Sequence, residues 1–248
     1  MRVMKMNRRK MLGVVVATFA PVIPTMVIMS SVKIVWATPE IDKVLGYITR
    51  VSNPANQTNE KVDGLLRYCM THGHVSPFEM ANVCLELNTT RDIGRQVLRH
   101  RSFSFQEFSG RYQDMALLDK AEVRETRLQD TKNRQNSLET DDVELKDWWY
   151  KAQSDIQSVC YELYEDALEK GIAKEQARAI LPEGLTNSRM YMNGTLRSWI
   201  FYLKQRLDPT TQKEHRVLAQ QVLEELRKVA PITMSAFFPE SGDNKSGH

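Results

Sequence analysis

Cysteine is scarce in this sequence. The three residues present, Cys69, Cys84 and Cys160, are too few and too far apart for a disulfide framework, and no CxxC pair suggests zinc or redox chemistry. That scarcity fits a reducing, cytoplasmic setting. An excess of one charge is also missing: 34 Lys and Arg face 31 Asp and Glu, a formal +3. Bulk electrostatics therefore do not point to nucleic acid, and any anion site has to come from local clustering of arginine. Glycine and proline are modest, at 11 and 9 of 248 residues. With 42% hydrophobic and 26% charged residues, that excludes collagen-like, mucin-like and wholly disordered chains and leaves enough apolar material for a core. There is no internal repeat and no Gly/Ser linker, so residues 30–240 read as one mixed domain, with 241–248 as a tail.

Residues 1–29 stand apart. Arg2, Lys5, Arg8, Arg9 and Lys10 precede a charge-free stretch from Met11 to Val32, about 22 residues and about the length that spans a bilayer. Pro21 and Pro24 interrupt it, and it runs without a polar break into the strand-like Val32 to Ala37. No clear small-residue cleavage site precedes that strand. The apolar extension has three readings: an upstream read-through with translation starting at Met29, a membrane anchor, or an export signal.

Beyond it, Pro39-Glu40 opens an amphipathic helix carrying Ile41, Val44, Leu45 and Ile48 at helical spacing. A second helix is expected over Asn59 to Thr71, ending near Gly73. Met80 to Leu87 reads as a strand, after which Thr89-Thr90 cap a helix from about Arg91 to His100. Ser102 to Tyr112 favours an extended or irregular path, and Asp114 to Asp142 is polar and uninformative. A long helix is expected over Val143 to Lys170, closed by Gly171. A short one over Lys174 to Leu181 ends at Pro182, and another runs from about Thr195 to Arg206. Asp208-Pro209 supplies an N-cap and first turn for a last helix to Val229.

The chemistry concentrates in RDIGRQVLRHRSFSFQEFSGRY, residues 91–112. On a helix, Arg91, Arg95 and Arg99 lie at successive i, i+4 positions, a like-charged row that is unfavourable unless something negative answers it. His100, Arg101 and Arg111 follow. Guanidinium groups make paired charge-assisted hydrogen bonds to phosphate oxygens, and Phe103, Phe105, Phe108 and Tyr112 add stacking surfaces. A bare arginine row alone would read as a solvated basic face. Clamping plus stacking suits a nucleotide, a dinucleotide cofactor or single-stranded nucleic acid, and spacing alone does not separate them.

Arg99-His100-Arg101, seven intervening residues and Ser109 resemble the RHR-x7-S signature of the flavin-dependent thymidylate synthases. Upstream, THGHVSPFEMANVCLEL resembles that family's His-x-Ser/Thr-Pro-Phe-Glu stretch. Downstream, QARAILPEGLTNSRMYMNGTLRSWIFYLKQRLDPTTQKEHR is similar to its second half, and together these cover about Ser30 to Phe238. The resemblance implies an α+β fold, a twisted, mainly antiparallel sheet packed with helices. It implies a homotetramer with active sites between subunits, no metal, and neither nucleic acid nor membrane as partner. The implied reaction is the reductive methylation of dUMP to dTMP, with methylenetetrahydrofolate as carbon donor and NADPH-reduced FAD as hydride source.

The resemblance also implies roles residue by residue. Arg99, His100 and Arg101 would contact FAD, with Arg99 also reaching the nucleotide. Gln96 would face dUMP, and Glu107 would lie near both ligands. Ser109, Gly110 and Arg111 would hold the nucleotide phosphate, Gly110 through close backbone approach. Ser76 would sit by an FAD phosphate, His74 on the flavin or folate side. Asn193, Thr195 and Arg197 would meet FAD, and Arg178 and Arg206 the uracil nucleotide. Uracil is a poor carbon nucleophile, and a fixed guanidinium at Arg206 would stabilise its anionic form without a covalent enzyme nucleophile. Ser109 then reads as a binding hydroxyl, the cysteines as small core residues, and His72 and His215 as structural or surface residues. The sequence departs from the family pattern at Gln106, commonly Asn, and at Phe201, commonly His or Asn beside the flavin. A catalytically degenerate nucleotide- or nucleic-acid-binding relative is the alternative, resting on Phe201.

Overall fold

The computed structural model describes residues 30–240. In chain order the elements are β1 (Ser31–Ala37), α1 (Ile41–Thr49), α2 (Asp63–Thr71), β2 (Asn82–Thr90), α3 (Arg91–Val97), β3 (Ser104–Glu107), β4 (Arg127–Gln129) and β5 (Ser137–Glu139). They continue with α4 (Val143–Glu169), α5 (Lys174–Ala177), β6 (Asn187–Thr195), α6 (Leu196–Arg206), α7 (Lys213–Val229) and α8 (Pro231–Phe237). Four strands form an antiparallel sheet in the order β1-β2-β6-β3, and β4 and β5 pair in a separate ribbon. The α+β reading of the sequence holds. Met11 to Met29 lie outside the described residues, and the end of the apolar run, Ser31 and Val32, belongs to β1. Among the described residues no helix is long and apolar enough to cross a membrane.

One sheet face carries the core. Val83, Leu85 and Leu87 of β2 and Met190 and Met192 of β6 are buried at alternate positions against Trp199, Ile200 and Leu203 of α6 and Leu218 and Val222 of α7. Trp199 is fully buried and donates its indole N–H to the Val83 carbonyl at 3.1 Å, so the largest core side chain leaves no polar atom unmatched. Strand β6 has no counterpart in the sequence reading. Its inward residues are Ser188, Met190, Met192 and Gly194, with Arg189 and Tyr191 outward, a period-2 pattern without the β-branched residues that normally announce a strand. Helix α8 is likewise unannounced. Asp42, from α1, accepts the backbone N–H groups of Ile232 and Thr233 at 2.8 and 3.1 Å, a cap supplied from 190 residues away.

Several boundaries move for local reasons. Helix α2 starts at Asp63 because the carbonyls of Asn59 and Lys61 accept from the Arg50 guanidinium, which holds that segment out of the helix. Helix α7 starts at Lys213, not Asp208, whose carboxylate instead accepts from the N–H and hydroxyl of Thr210 in a turn. The helix expected over Lys174 to Leu181 is α5 followed by a 3₁₀ turn. The long helix is as expected: Asp142 accepts the Leu145 N–H at 3.0 Å, and Gly171, at φ +81°, ends it.

Candidate active site

Helix α3 ends at Val97, so the arginine row breaks after two members. Arg91 and Arg95 both face Glu183, at 3.6 and 4.0 Å, and Arg95 also faces Glu107 at 3.6 Å. Arg99 and Arg101 pass instead into the exposed turn that leads to β3. Among the described residues, Arg99, Arg101, Arg178 and Arg206, like Arg50, Arg134, Arg189 and Arg216 away from the signature, make no carboxylate ion pair, whereas Arg91, Arg95, Arg111, Arg124, Arg127 and Arg197 each make at least one.

At the end of α6, Arg206 donates its Nε–H to His100 Nε2 at 2.9 Å. The imidazole is thus an acceptor there, with its proton on Nδ1. Burial, then the charges of Arg206 and Arg99, push the His100 pKa down to about 4, which keeps the ring neutral and able to accept. Burial also lowers the Arg206 pKa from its usual value. The Tyr202 ring stands edge-on to His100 at 4.9 Å and its phenol is fully buried. Tyr202 precedes Arg206 by four residues on the same helix face, a spacing that could have marked it in the sequence.

Two further groups of candidate residues lie at and beyond β3. The β3–β6 register sets Glu107 opposite Met190, and Ser188 donates its hydroxyl to Glu107 Oε1 at 2.7 Å. Beyond β3, Ser109 Oγ accepts the Arg111 N–H at 3.4 Å, and Arg111 faces Glu175 at 3.7 Å. Gly110 is buried; a Cβ there would fall 2.6 Å from Met115 Sδ and 3.3 Å from Arg178 Cδ. Its bare backbone is what lets Arg178 lie against the Ser109–Arg111 turn. No hydrogen bond or ion pair among the described residues joins Arg178 or Arg111 to Arg206.

The remaining candidates lie along α6 and the 3₁₀ turn Ser76–Met80. Arg197 donates to Glu79 of that turn at 2.8 Å and its guanidinium lies 5.1 Å over the Phe201 ring, which Lys204 also approaches at 5.9 Å. Ser76 and His74 are exposed, and the His74 ring stands edge-on to Tyr68 at 5.8 Å. Three adjacent residues on β6 separate cleanly. The Thr195 hydroxyl accepts the Ser198 N–H at 3.2 Å and caps α6. Gly194 is covered by the Phe103 ring, 2.4 Å from where a Cβ would stand. Asn193 Oδ1 is buried with no hydrogen-bond partner among the described residues. Cys69 and Cys84 are buried, and burial raises both thiol pKa values, which suits core residues rather than nucleophiles.

The sequence reading missed a polar chain behind the site. Tyr202 O–H meets His215 Nε2 at 3.2 Å, His215 Nδ1 meets Gln96 Oε1 at 3.2 Å, and Gln96 Nε2 donates to Gln212 Oε1 at 2.7 Å. Gln212 Nε2 donates to Glu214 Oε2 at 2.9 Å, and Glu214 is paired with Arg127 and, at 3.8 Å, Arg124. His215 is fully buried, and burial with the charge of Arg206 and the neighbouring His100 lowers its pKa to about 3.

Residues 33–232 match the family model described as Thymidylate synthase complementing protein. The chain is 51% identical over 176 residues to a flavin-dependent thymidylate synthase of Synechocystis sp., covering 71% of this chain and 80% of that one. It is 33% identical over 189 residues to a flavin-dependent thymidylate synthase of Kosmotoga olearia, covering 75% and 81%. Among solved structures, it superposes with a TM-score of 0.67 and 26% identity on a UMP/dUMP methylase, PolB from Streptomyces cacaoi, bound with 5-Br dUMP, covering 84% of this chain and 94% of that one. A family match over most of the chain, with relatives this similar along most of their length, means that the chain belongs to the thymidylate synthase complementing protein family, the flavin-dependent thymidylate synthases.

Proposed function

We propose that this chain is a flavin-dependent thymidylate synthase that converts dUMP, methylenetetrahydrofolate, NADPH and a proton to dTMP, tetrahydrofolate and NADP+. The observation that carries the reading is that four arginines at signature or candidate positions, Arg99, Arg101, Arg178 and Arg206, have no carboxylate partner among the described residues, with Arg206 bonded to His100 and Arg99 close enough to shift its pKa. A fold that answers its other site-flanking arginines internally leaves these for anionic ligands.

The residues present fit FAD. The orphaned Asn193 Oδ1 calls for a donor, and a flavin ring carries an N–H. The same observation favours Asn193 over Gly194 and over the side chain of Thr195, leaving Thr195 its backbone. Ser76, His74, Arg197 and the Arg99-His100-Arg101 turn complete the cofactor side. When bound, FAD supplies the hydride chemistry that side chains lack.

Gln96, Arg99, Glu107, Ser109, Gly110, Arg111, Arg178 and Arg206 form the dUMP side. Arg206, steered by its bond to neutral His100, stabilises negative charge on the pyrimidine ring. Phosphate falls to the Ser109–Arg111 turn, where binding displaces Glu175 from Arg111. The active form is a homotetramer with sites between subunits, in the cytoplasm. Support for assembly comes from α4, which exposes Trp148, Tyr150, Ile156, Val159 and Leu163. Support for the compartment comes from three unpaired cysteines.

The test is the visible spectrum of the full chain, before and after anaerobic NADPH, with and without dUMP, followed by product analysis with methylenetetrahydrofolate. A flavin spectrum that bleaches and a dTMP product are expected. A colourless protein that FAD does not reconstitute moves the assignment to the degenerate binder, in which Phe201, already occupied by Arg197 and Lys204, replaces a flavin contact.

A further inference from the structure

The polar chain behind the site has a direction, and only one of its members sets it. A carboxylate accepts and cannot donate. Glu214 is 5% exposed; burial pushes its carboxyl up, but the Arg127 hydrogen bond, its own backbone N–H and the Arg127 and Arg124 charges outweigh that and hold it below the ordinary value. Gln212 must therefore turn Nε2 toward Glu214, which leaves Oε1 to accept from Gln96 Nε2. Gln96 then offers Oε1 to His215, so His215 donates from Nδ1, leaves Nε2 bare, and receives the Tyr202 O–H.

The reverse arrangement fails at one point only. A flipped Gln96 amide and the other His215 tautomer satisfy Tyr202 equally well, since a phenol both donates and accepts. They also require Gln212 to flip, which would set its carbonyl oxygen against the Glu214 carboxylate at the 2.9 Å now occupied by a hydrogen bond. Two acceptors at that separation repel.

We propose that Glu214 is a positioning residue for the nucleotide site: through Gln212 it fixes the orientation of the Gln96 amide and, with it, the Nδ1–H tautomer of His215. After these bonds Gln96 keeps one Nε2 hydrogen and one Oε1 lone pair, and their placement decides whether it offers a donor or an acceptor to the pyrimidine or sugar. The functional half of this inference rests on Gln96 facing dUMP, as proposed above.

The experiment joins neutron diffraction from deuterium-exchanged crystals of the full chain with dUMP titration of the FAD-loaded protein. Wild type is expected to carry deuterium on His215 Nδ1, none on Nε2, and two on the Gln96 atom facing Gln212. Glu214→Gln removes the charge that sets the direction. Gln212→Leu breaks the chain while leaving the Glu214–Arg127 pair in place, and so guards against a variant that fails to fold. Gln212→Leu is expected to weaken dUMP binding about tenfold with FAD affinity unchanged, a split that general loosening would not produce, and to show both His215 tautomers. Deuterium on His215 Nε2 in wild type overturns the proposal, as does Gln212→Leu binding dUMP like wild type. A wild-type chain that does not bind dUMP overturns the functional reading instead, while the neutron map still decides the direction of the chain.

Discussion

Two sets of arginines in this fold are held in opposite ways. Arg124 and Arg127 are mostly buried and held by Glu214, with Asp92 2.7 Å from Arg124 Nη2. Arg99, Arg101, Arg178 and Arg206 face no carboxylate among the described residues, and Arg206 donates to a neutral imidazole instead. The first set is answered by the fold, so removing a partner should cost stability. On the proposed function the second is answered by ligand, so removing a member should cost binding or turnover.

The largest expected effect lies in the first set. Glu214→Ala should destabilise the protein by about 3 kcal/mol in a denaturant titration, because it takes the shared buried carboxylate from two largely buried guanidinium groups and leaves each with one more exposed partner, Asp92 for Arg124 and Glu125 for Arg127. Arg206→Ala should lower turnover by roughly 10²–10³-fold in a dTMP assay, the scale of removing one fixed electrostatic donor, with FAD still bound and the unfolding midpoint near wild type. A retained normal rate would contradict the role given to Arg206.

The third effect is pH. His100 and His215 have folded pKa values depressed to about 4 and about 3. Between the ordinary histidine value and these, the unfolded chain takes up protons that the folded chain refuses. Stability should therefore be full above about pH 6.5 and fall on acidification toward pH 4 and below. A His100→Gln variant should show a flatter Tm-versus-pH curve over that range, and an unchanged slope would remove His100 from the titrating set. Smallest of all, Arg99→Ala should change stability by no more than about 0.5 kcal/mol, since among the described residues Arg99 has no carboxylate partner to strand.

The contrast between the sets was half legible in the sequence. RHR-x7-S marked Arg99, His100, Arg101 and Ser109 as a cluster, and the structure brings His100 to Arg206 from 106 residues away. Nothing local marked Arg124 and Arg127, which sit in a polar stretch whose partners, Asp92 and Glu214, lie 32 and 87 residues distant. The same limit hid His215 and Gln212, whose role follows from a chain of side chains drawn from α3, α6 and α7. Helices α4 and α6 were legible because their caps, Asp142 with Gly171 and Thr195, act within a few residues. Strand β6 was not, because Met and Ser fill its inward positions and only its neighbours β2 and β3 make it a strand. The arginine row failed in an instructive way: a 3.6-residue count carried it to Arg99, but the helix ends at Val97 and leaves Arg99 exposed in the turn before β3.

The most direct measurement is a calorimetric titration of dUMP into the FAD-loaded full chain, for wild type and Arg178→Ala. If Arg99, Arg101, Arg178 and Arg206 are the ligand set, wild type binds one dUMP per chain, and Arg178→Ala weakens it by about tenfold or more, or about 1.4 kcal/mol, at an unchanged Tm. Equal affinity in the two proteins, or a collapsed Tm with dUMP binding intact, would place Arg178 with the structural arginines and contradict the division.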